Sequence, residues 1–198
     1  MVYRIYVEKK PGFDVEAQGL KNELVSLLGI QSLSGLRLLN RYDVEGIDEA
    51  LFNQCATTVF SEPPVDNTYA ELPEFEGISF AVEYLPGQYD QRADSAAQCI
   101  QILTQKERPA VRAARVYILE GDISEAELRQ IKSYCINPVE SREAEAEKPD
   151  TLTMRLVQPE QVPVLTGFCG LTDRAVSALR EEMGLAMSAE DLCFCRTY

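Results

Sequence analysis

Six cysteines, a run of glutamates and one turn–helix junction are the residues whose types and spacing bear on chemistry in this chain. Cys55, Cys99, Cys135, Cys169, Cys193 and Cys195 include no C-x-x-C pair. Cys193-x-Cys195 falls on a predicted helix, where positions i and i+2 face different sides and make poor joint ligands. With no second pair, a structural zinc site lacks half its ligands, and the two read as buried thiols. Cys55 and Cys135 fall near the ends of two predicted helices and read as core, because nothing beside them in sequence would lower a thiol pKa. All six are expected to be reduced. The chain has no histidine. That removes the usual general base, the usual partner of a Cys or Ser nucleophile and the commonest metal ligand. Glu140, Glu143, Glu145 and Glu147 crowd a polar run and read as a solvated face, not a catalytic pair. A phosphate-binding G-x-x-x-x-G-K-[ST] loop is absent. No catalytic, ligand-binding or metal residue is assigned to any position.

The junction at Pro86–Cys99 is the best candidate surface. Pro86-Gly87 supplies a tight turn and Asp90 is placed to cap a helix. Ala93, Ala96, Ala97 and Ile100 then form a close-packing face. Gln91, Arg92, Asp94 and Ser95 fall in the first helical turns beside backbone N–H groups without intrahelical partners, a place suited to a partner or an anion. Pro86, Gly87, Gln91, Arg92, Asp94 and Ser95 are therefore the candidate docking surface, weighed against a plain capped helix on a half-buried face. Pro11–Ala17 holds the same place earlier in the chain with a different polar set, so a docking role need not be shared.

The elements that position this junction follow from a repeat. Val7-Glu8-Lys9-Lys10-Pro11-Gly12 recurs as Val82-Glu83-Tyr84-Leu85-Pro86-Gly87, an offset of 82 − 7 = 75. One inserted residue moves the offset to 76, at which Asp14 and Ala17 match Asp90 and Ala93, and Ile47, Glu49, Ala50 and Gln54 match Ile123, Glu125, Ala126 and Gln130. A register held across separated segments points to duplication, with copy one at about 1–70 and copy two at about 76–140. Copy one reads as a strand at 2–9, a helix from Asp14 to about Leu28 closed by Gly29, and extended chain near 36–44. Polar Asn40-Arg41 would bend that stretch or make it a hairpin. Asp48 caps a second helix to about Thr58, and Glu62-Pro63-Pro64 breaks the pattern. Copy two repeats the order at 78–84, 90–105, 111–119 and 124–135, the last opened by the capping box of Ser124 and Glu127. Short strands after each second helix would complete a β-α-β-β-α-β unit. The fold class expected is α+β, two tandem ferredoxin-like units packed sheet to sheet.

A small, mostly helical domain is expected at 141–198. Residues 140–150 suit a linker or an exposed helix end, and 151–157 alternate like a strand. Thr172 opens a helix to about Met183, and Ser188 with Asp191 opens another. That helix has scarcely two turns before Tyr198, so the chain reads as truncated.

Composition narrows the class of function. The 198 residues are 45% hydrophobic, enough for one large or two small cores. The formal net charge of −13 disfavours nucleic acid and acidic membranes as partners. No apolar stretch approaches the roughly 18 residues that span a bilayer, and the N-terminus lacks a secretory signal, so a cytoplasmic location is expected.

The segment 84–99, together with 40–46 and 60–64, resembles the Clostridia-type members of the large, single-chain phosphoribosylformylglycinamidine synthases. Asn137-Pro138-Val139-Glu140 resembles a motif of the small structural subunit of multi-subunit versions, a dimer of ferredoxin-like units. Gly184-Leu185-Ala186-Met187 and the helix after it resemble the start of that family's linker domain. The resemblance implies the N-terminal region of an enzyme that converts formylglycinamide ribonucleotide, ATP and glutamine to formylglycinamidine ribonucleotide, ADP, phosphate and glutamate in purine synthesis. The family's Mg-ATP site, its Ser-Glu-His-Cys-Arg-His signature and its glutaminase triad have no counterpart positions here. The implied role is assembly: docking the glutaminase domain against the synthase core of the same polypeptide, with no cofactor in this region. The alternative is a ferredoxin-like regulatory module that binds a small effector, which rests on fold analogy.

Overall fold

The computed structural model describes residues 1–153, 161–162 and 164–197. The chain forms two compact units, Met1–Met154 and Arg155–Tyr198. The first contains, in order, β1 (Val2–Lys9), α1 (Val15–Leu27), β2 (Leu33–Glu45), α2 (Glu49–Thr58), β3 (Asp66–Tyr69), β4 (Ile78–Tyr84), α3 (Gln91–Thr104), β5 (Ala110–Gly121), α4 (Glu125–Cys135) and β6 (Ser141–Ala144). The class is α+β, and all six strands join one open antiparallel sheet of order β3-β1-β2-β5-β4-β6.

That order corrects the expected sheet-to-sheet packing. The halves meet edge to edge, through twelve paired positions from Leu33↔Gly121 to Glu45↔Ala110. The physical reason lies in β2, which runs as one 13-residue strand through Asn40-Arg41 without bend or hairpin. No turn residue interrupts it, so each half has three strands where four were expected. The unpaired side of so long a strand needs a partner, and β5 supplies it.

The two halves share one element order and one set of registers. Tyr3↔Val44 and Tyr6↔Tyr69 in the first half correspond, at an offset of 75, to Ile78↔Leu119 and Ala81↔Ala144 in the second. The β2–β5 ladder maps onto itself about the pair Asn40↔Arg115, since 115 − 40 = 75. Helices α1 and α3 begin at 15 and 91, and α2 and α4 at 49 and 125, an offset of 76. The extra residue therefore enters at each turn before a helix and is given back before the next strand.

Side chains alternate across the sheet, so its two faces have different cores. On one face α2 and α3 cover Ile5, Val7, Tyr42 and Val44, while α1 and α4 cover Leu36, Phe80, Tyr117 and Leu119. Each pair of helices draws one member from each half. None of the first unit's four helices packs on the other face. Its centre is Leu39, Val116 and Ile118, of which Ile118 is 0% exposed. Two irregular segments cover it. Leu72 and Phe75, between β3 and β4, pack on this core. The segment after β6 crosses back, with the carbonyls of Glu145, Ala146 and Glu147 accepting from Arg41 and Arg4. Leu152 N donates to Glu45 at 2.7 Å. The boundary expected after residue 140 thus falls inside the first unit, because 141–144 is a strand and the chain beyond it stays on the sheet. The side chains of Glu140, Glu143, Glu145 and Glu147 do point to water.

Local signals held unevenly. Asp48, Asp90 and Ser124 cap α2, α3 and α4 as expected, Ser124 with the full box to Glu127. Asp14 begins α1 without a side-chain cap bond; its carboxylate accepts instead from Gly12 N and Gln18 Nε2. Leu24 is buried in α1 but Leu27 is 69% exposed, so the apolar stripe is narrower than its leucines suggest. Gly121 has φ of 121°, and a Cβ there would sit 2.1 Å from Ser32 O, so no other residue fits the close approach of that turn to β2.

In the second unit Thr172 caps α5 (Asp173–Glu182), and Gly184 follows with φ of 62°. Ser188 caps α6 (Ala189–Cys195), accepting from Asp191 N and lying 2.7 Å from its carboxylate. Among its described residues Val176 and Leu192 are buried apolar side chains, and Arg196 pairs with Asp173 at 2.6 Å. Cys193 is half-buried and Cys195 exposed, which corrects the reading of both as buried thiols. The short helices α5 and α6 enclose too little interior to cover them. Of the strand expected at 151–157, residues 151–153 are not in a strand and the rest lie outside the described residues. Among the described residues no helix is long and apolar enough to cross a membrane.

Truncating Ile118 to alanine should cost about 2–5 kcal/mol, because the side chain sits where β5 packs with β2 and the rigid sheet cannot collapse into the void. Equilibrium denaturation checks this, and a loss below about 1 kcal/mol would mean that the helix-free face is not a true core. The same assay should find Gly121→Ala destabilised.

Candidate docking groove

The N-terminus of α3 is held from both sides of its cap. Asp90 Oδ1 accepts from Ala93 N at 2.9 Å, closing the first turn, and Oδ2 accepts from Ala113 N at 3.2 Å, tying the helix start to β5. Before it, Gln88 N donates to Leu85 O around Gly87, whose φ of 91° suits glycine. Leu85 N donates to Glu140 O at 2.9 Å, linking this turn to the one before β6. Ala93, Ala96, Ala97 and Ile100 are buried, so the small-residue face packs on the sheet as expected.

The six predicted surface residues separate into three places. Gln91, Arg92 and Ser95 line a groove of about 580 Å³ on the helical face. Pro86 and Gly87 line a smaller neighbouring recess of about 190 Å³ with Arg112 and Arg142. Asp94 lines neither recess. Its carboxylate accepts from Arg108 and, at 3.0 Å, from Tyr89 Oη. The Arg108 bond and then the Tyr89 bond hold this carboxyl below its usual range.

The groove continues into a second recess of about 370 Å³, and Asn40, Tyr42, Val59, Arg92 and Arg115 line both. It therefore crosses the sheet over Asn40↔Arg115, the pair that relates the two halves. Tyr42 and Tyr117, another pair at an offset of 75, form its aromatic floor. Tyr42 packs on Phe60 at 4.9 Å and Tyr117 stacks on Phe80 at 4.8 Å. Burial pushes the Tyr117 hydroxyl up to about 12, so it stays a neutral donor.

Local sequence points to the start of α3 but not to Asn40, Tyr42, Arg115 and Tyr117 as parts of the same groove. They lie on β2 and β5, and only the edge-to-edge joining of the halves brings them under the helix. The signal available was the polar Asn40 interrupting an apolar run, with Arg115 at the same offset.

The groove's two arginines are in different states. Arg115 makes a two-pronged contact with Glu16 of α1. Arg92 Nη1 reaches only Tyr42 Oη at 3.4 Å, and among the described residues no carboxylate lies within ion-pair distance of it. An exposed carboxylate brought to the groove would meet a guanidinium with no ion-pair partner among the described residues. The thiols with shifted pKa values move the wrong way for a nucleophile. Burial pushes Cys55 up and Cys135 up to about 11. Among the described residues no three His, Cys, Asp or Glu side chains are grouped to hold a metal ion.

Alkylation of the native chain at pH 7.5 should modify Cys99, Cys169 and Cys195 first and leave Cys55 untouched until unfolding. Cys135 should gain reactivity only as pH rises towards about 11, because the thiolate is the reacting form. Peptide mass spectrometry over a time course reads this, and Cys135 reacting as fast as Cys99 at pH 7.5 would contradict it. Neither the known protein-family models nor the curated proteins contain a match to this chain.

Proposed function

We propose that the chain is a non-catalytic docking and assembly module of a glutamine-dependent, ATP-using phosphoribosylformylglycinamidine synthase, working in the cytoplasm. In this reading the six-stranded unit arose by duplication of a β-α-β-α-β half, and the second unit begins the linker domain. Its partners are the synthase and glutaminase domains of the same polypeptide. The observation that carries the reading is Arg92, an arginine without a carboxylate partner among the described residues, at the junction of two recesses that adjoin across the centre of the helical face. The absence of histidine and the raised thiol pKa values agree with it. Mg-ATP binding and ammonia transfer belong, on this proposal, to the other domains.

A second reading, a regulatory module that holds a small effector, is favoured by one feature. A volume of about 580 Å³ falls within the range of roughly 300–1,000 Å³ typical of small-molecule sites. A saturable rise in thermal midpoint with one amino acid or nucleotide would favour it.

The docking reading is tested by titrating the chain into the separately purified synthase and glutaminase domains of such an enzyme. Saturable binding is expected, weakened about tenfold or more by Arg92→Glu, together with no turnover of ATP or glutamine by the chain alone. Absence of binding to either domain, or turnover above background, would overturn it.

A further inference from the structure

A further cavity, of about 790 Å³, lies against the helix-free face and reaches the start of α2, sharing no lining residue with the docking groove. Arg4 and Arg41 line it, each with a side chain only 6% exposed, and Asp43 beside them is 4% exposed. Two guanidinium groups thus share one carboxylate where water is largely excluded. Arg4 takes that carboxylate in a two-pronged bond, Nε to Oδ1 at 2.6 Å and Nη2 to Oδ2 at 2.8 Å. Arg41 is left 3.7 Å from Oδ2. Its Nη1 donates to the neutral carbonyl of Glu145 at 2.8 Å, and its buried Nε has no hydrogen-bond partner among the described residues.

A buried cation with an unused N–H costs free energy unless something accepts that bond and balances the charge. The carbonyls that hold Arg4 and Arg41 accept hydrogen bonds but carry no charge. Burial, and then the neighbouring Arg4, push the Arg41 guanidinium below its ordinary pKa, against the pull of Asp43 and Glu83. The carboxylates around this cavity, Glu49, Glu71, Glu143 and Glu147, are exposed at its rim, with Glu143 paired to Lys132 at 2.7 Å. Water and salt screen that rim far more than the interior pair.

We propose that this cavity binds a small ligand through an oxyanion, the phosphate or carboxylate group of a metabolite. The oxyanion pairs with the part of the Arg41 guanidinium that lines the cavity and balances the second arginine. The remaining volume is large enough for a ligand of metabolite size. The site is independent of the docking reading, since none of its wall is shared with the groove.

The Nε–H resonance of Arg41 in a ¹⁵N-labelled sample of the full chain reports on the site directly. Titrations with inorganic phosphate and with acetate, at constant ionic strength against chloride, should give a saturable shift of that resonance in at least one arm. The arm that shifts identifies the group. Arg41→Lys keeps the positive charge but removes the planar guanidinium, and should weaken binding, followed by calorimetry, about tenfold or more. No Arg41 shift with either anion, or undiminished binding to Arg41→Lys, would overturn the proposal.

Discussion

The ladder between β2 and β5 is the constraint on which the first unit depends. A 13-residue strand and a 12-residue strand pair along nearly their whole length, and every other element is placed by reference to them. Neither half has an independent interior. Each helical cluster takes one helix from each half, and the helix-free core draws Leu39 from β2 and Val116 and Ile118 from β5. Burial of these side chains supplies the favourable term, and backbone pairing fixes the register in which it is collected.

Two features that bear on recognition arise from this joining. On the helical face it brings Asn40 and Arg115 side by side and leaves the groove between the two helix pairs. On the opposite face none of the first unit's helices packs, and irregular chain of that unit covers it. Irregular chain carries unpaired carbonyls, and Arg4 and Arg41 satisfy three of them from below. Once buried for that purpose, two arginines with one aspartate leave an excess of positive charge in the sheet's interior.

Much of the local structure was legible in the residues. The Pro-Gly turns, the caps at Asp48, Asp90, Ser124, Thr172 and Ser188, and the buried alanine face of α3 follow from chemistry within a few positions. The offset of 75 to 76 is also visible in the residues alone, and the strand registers assign 75 to the sheet and the helix starts 76 to the helices. What sequence could not supply was the pairing partner of β2. A hairpin at Asn40-Arg41 and a single long strand have the same alternation, and the choice between face-to-face and edge-to-edge joining is made by that strand's exposed side. The groove's floor residues were missed for the same reason. The candidate surface was half legible: Gln91, Arg92 and Ser95 meet at one groove, but Asp94 turns to Arg108, a residue 14 positions on whose approach no local rule predicts.

Hydrogen–deuterium exchange of backbone amides tests the central claim most directly. If one continuous sheet holds the first unit together, amides of 36–44 and 111–119 should be the slowest in the chain and should exchange only through global unfolding. They should respond to denaturant with the same slope as the whole first unit. Fast exchange along this ladder, with slower exchange within β1 and β4 on either side of it, would show two separately stable halves in contact and would contradict the account.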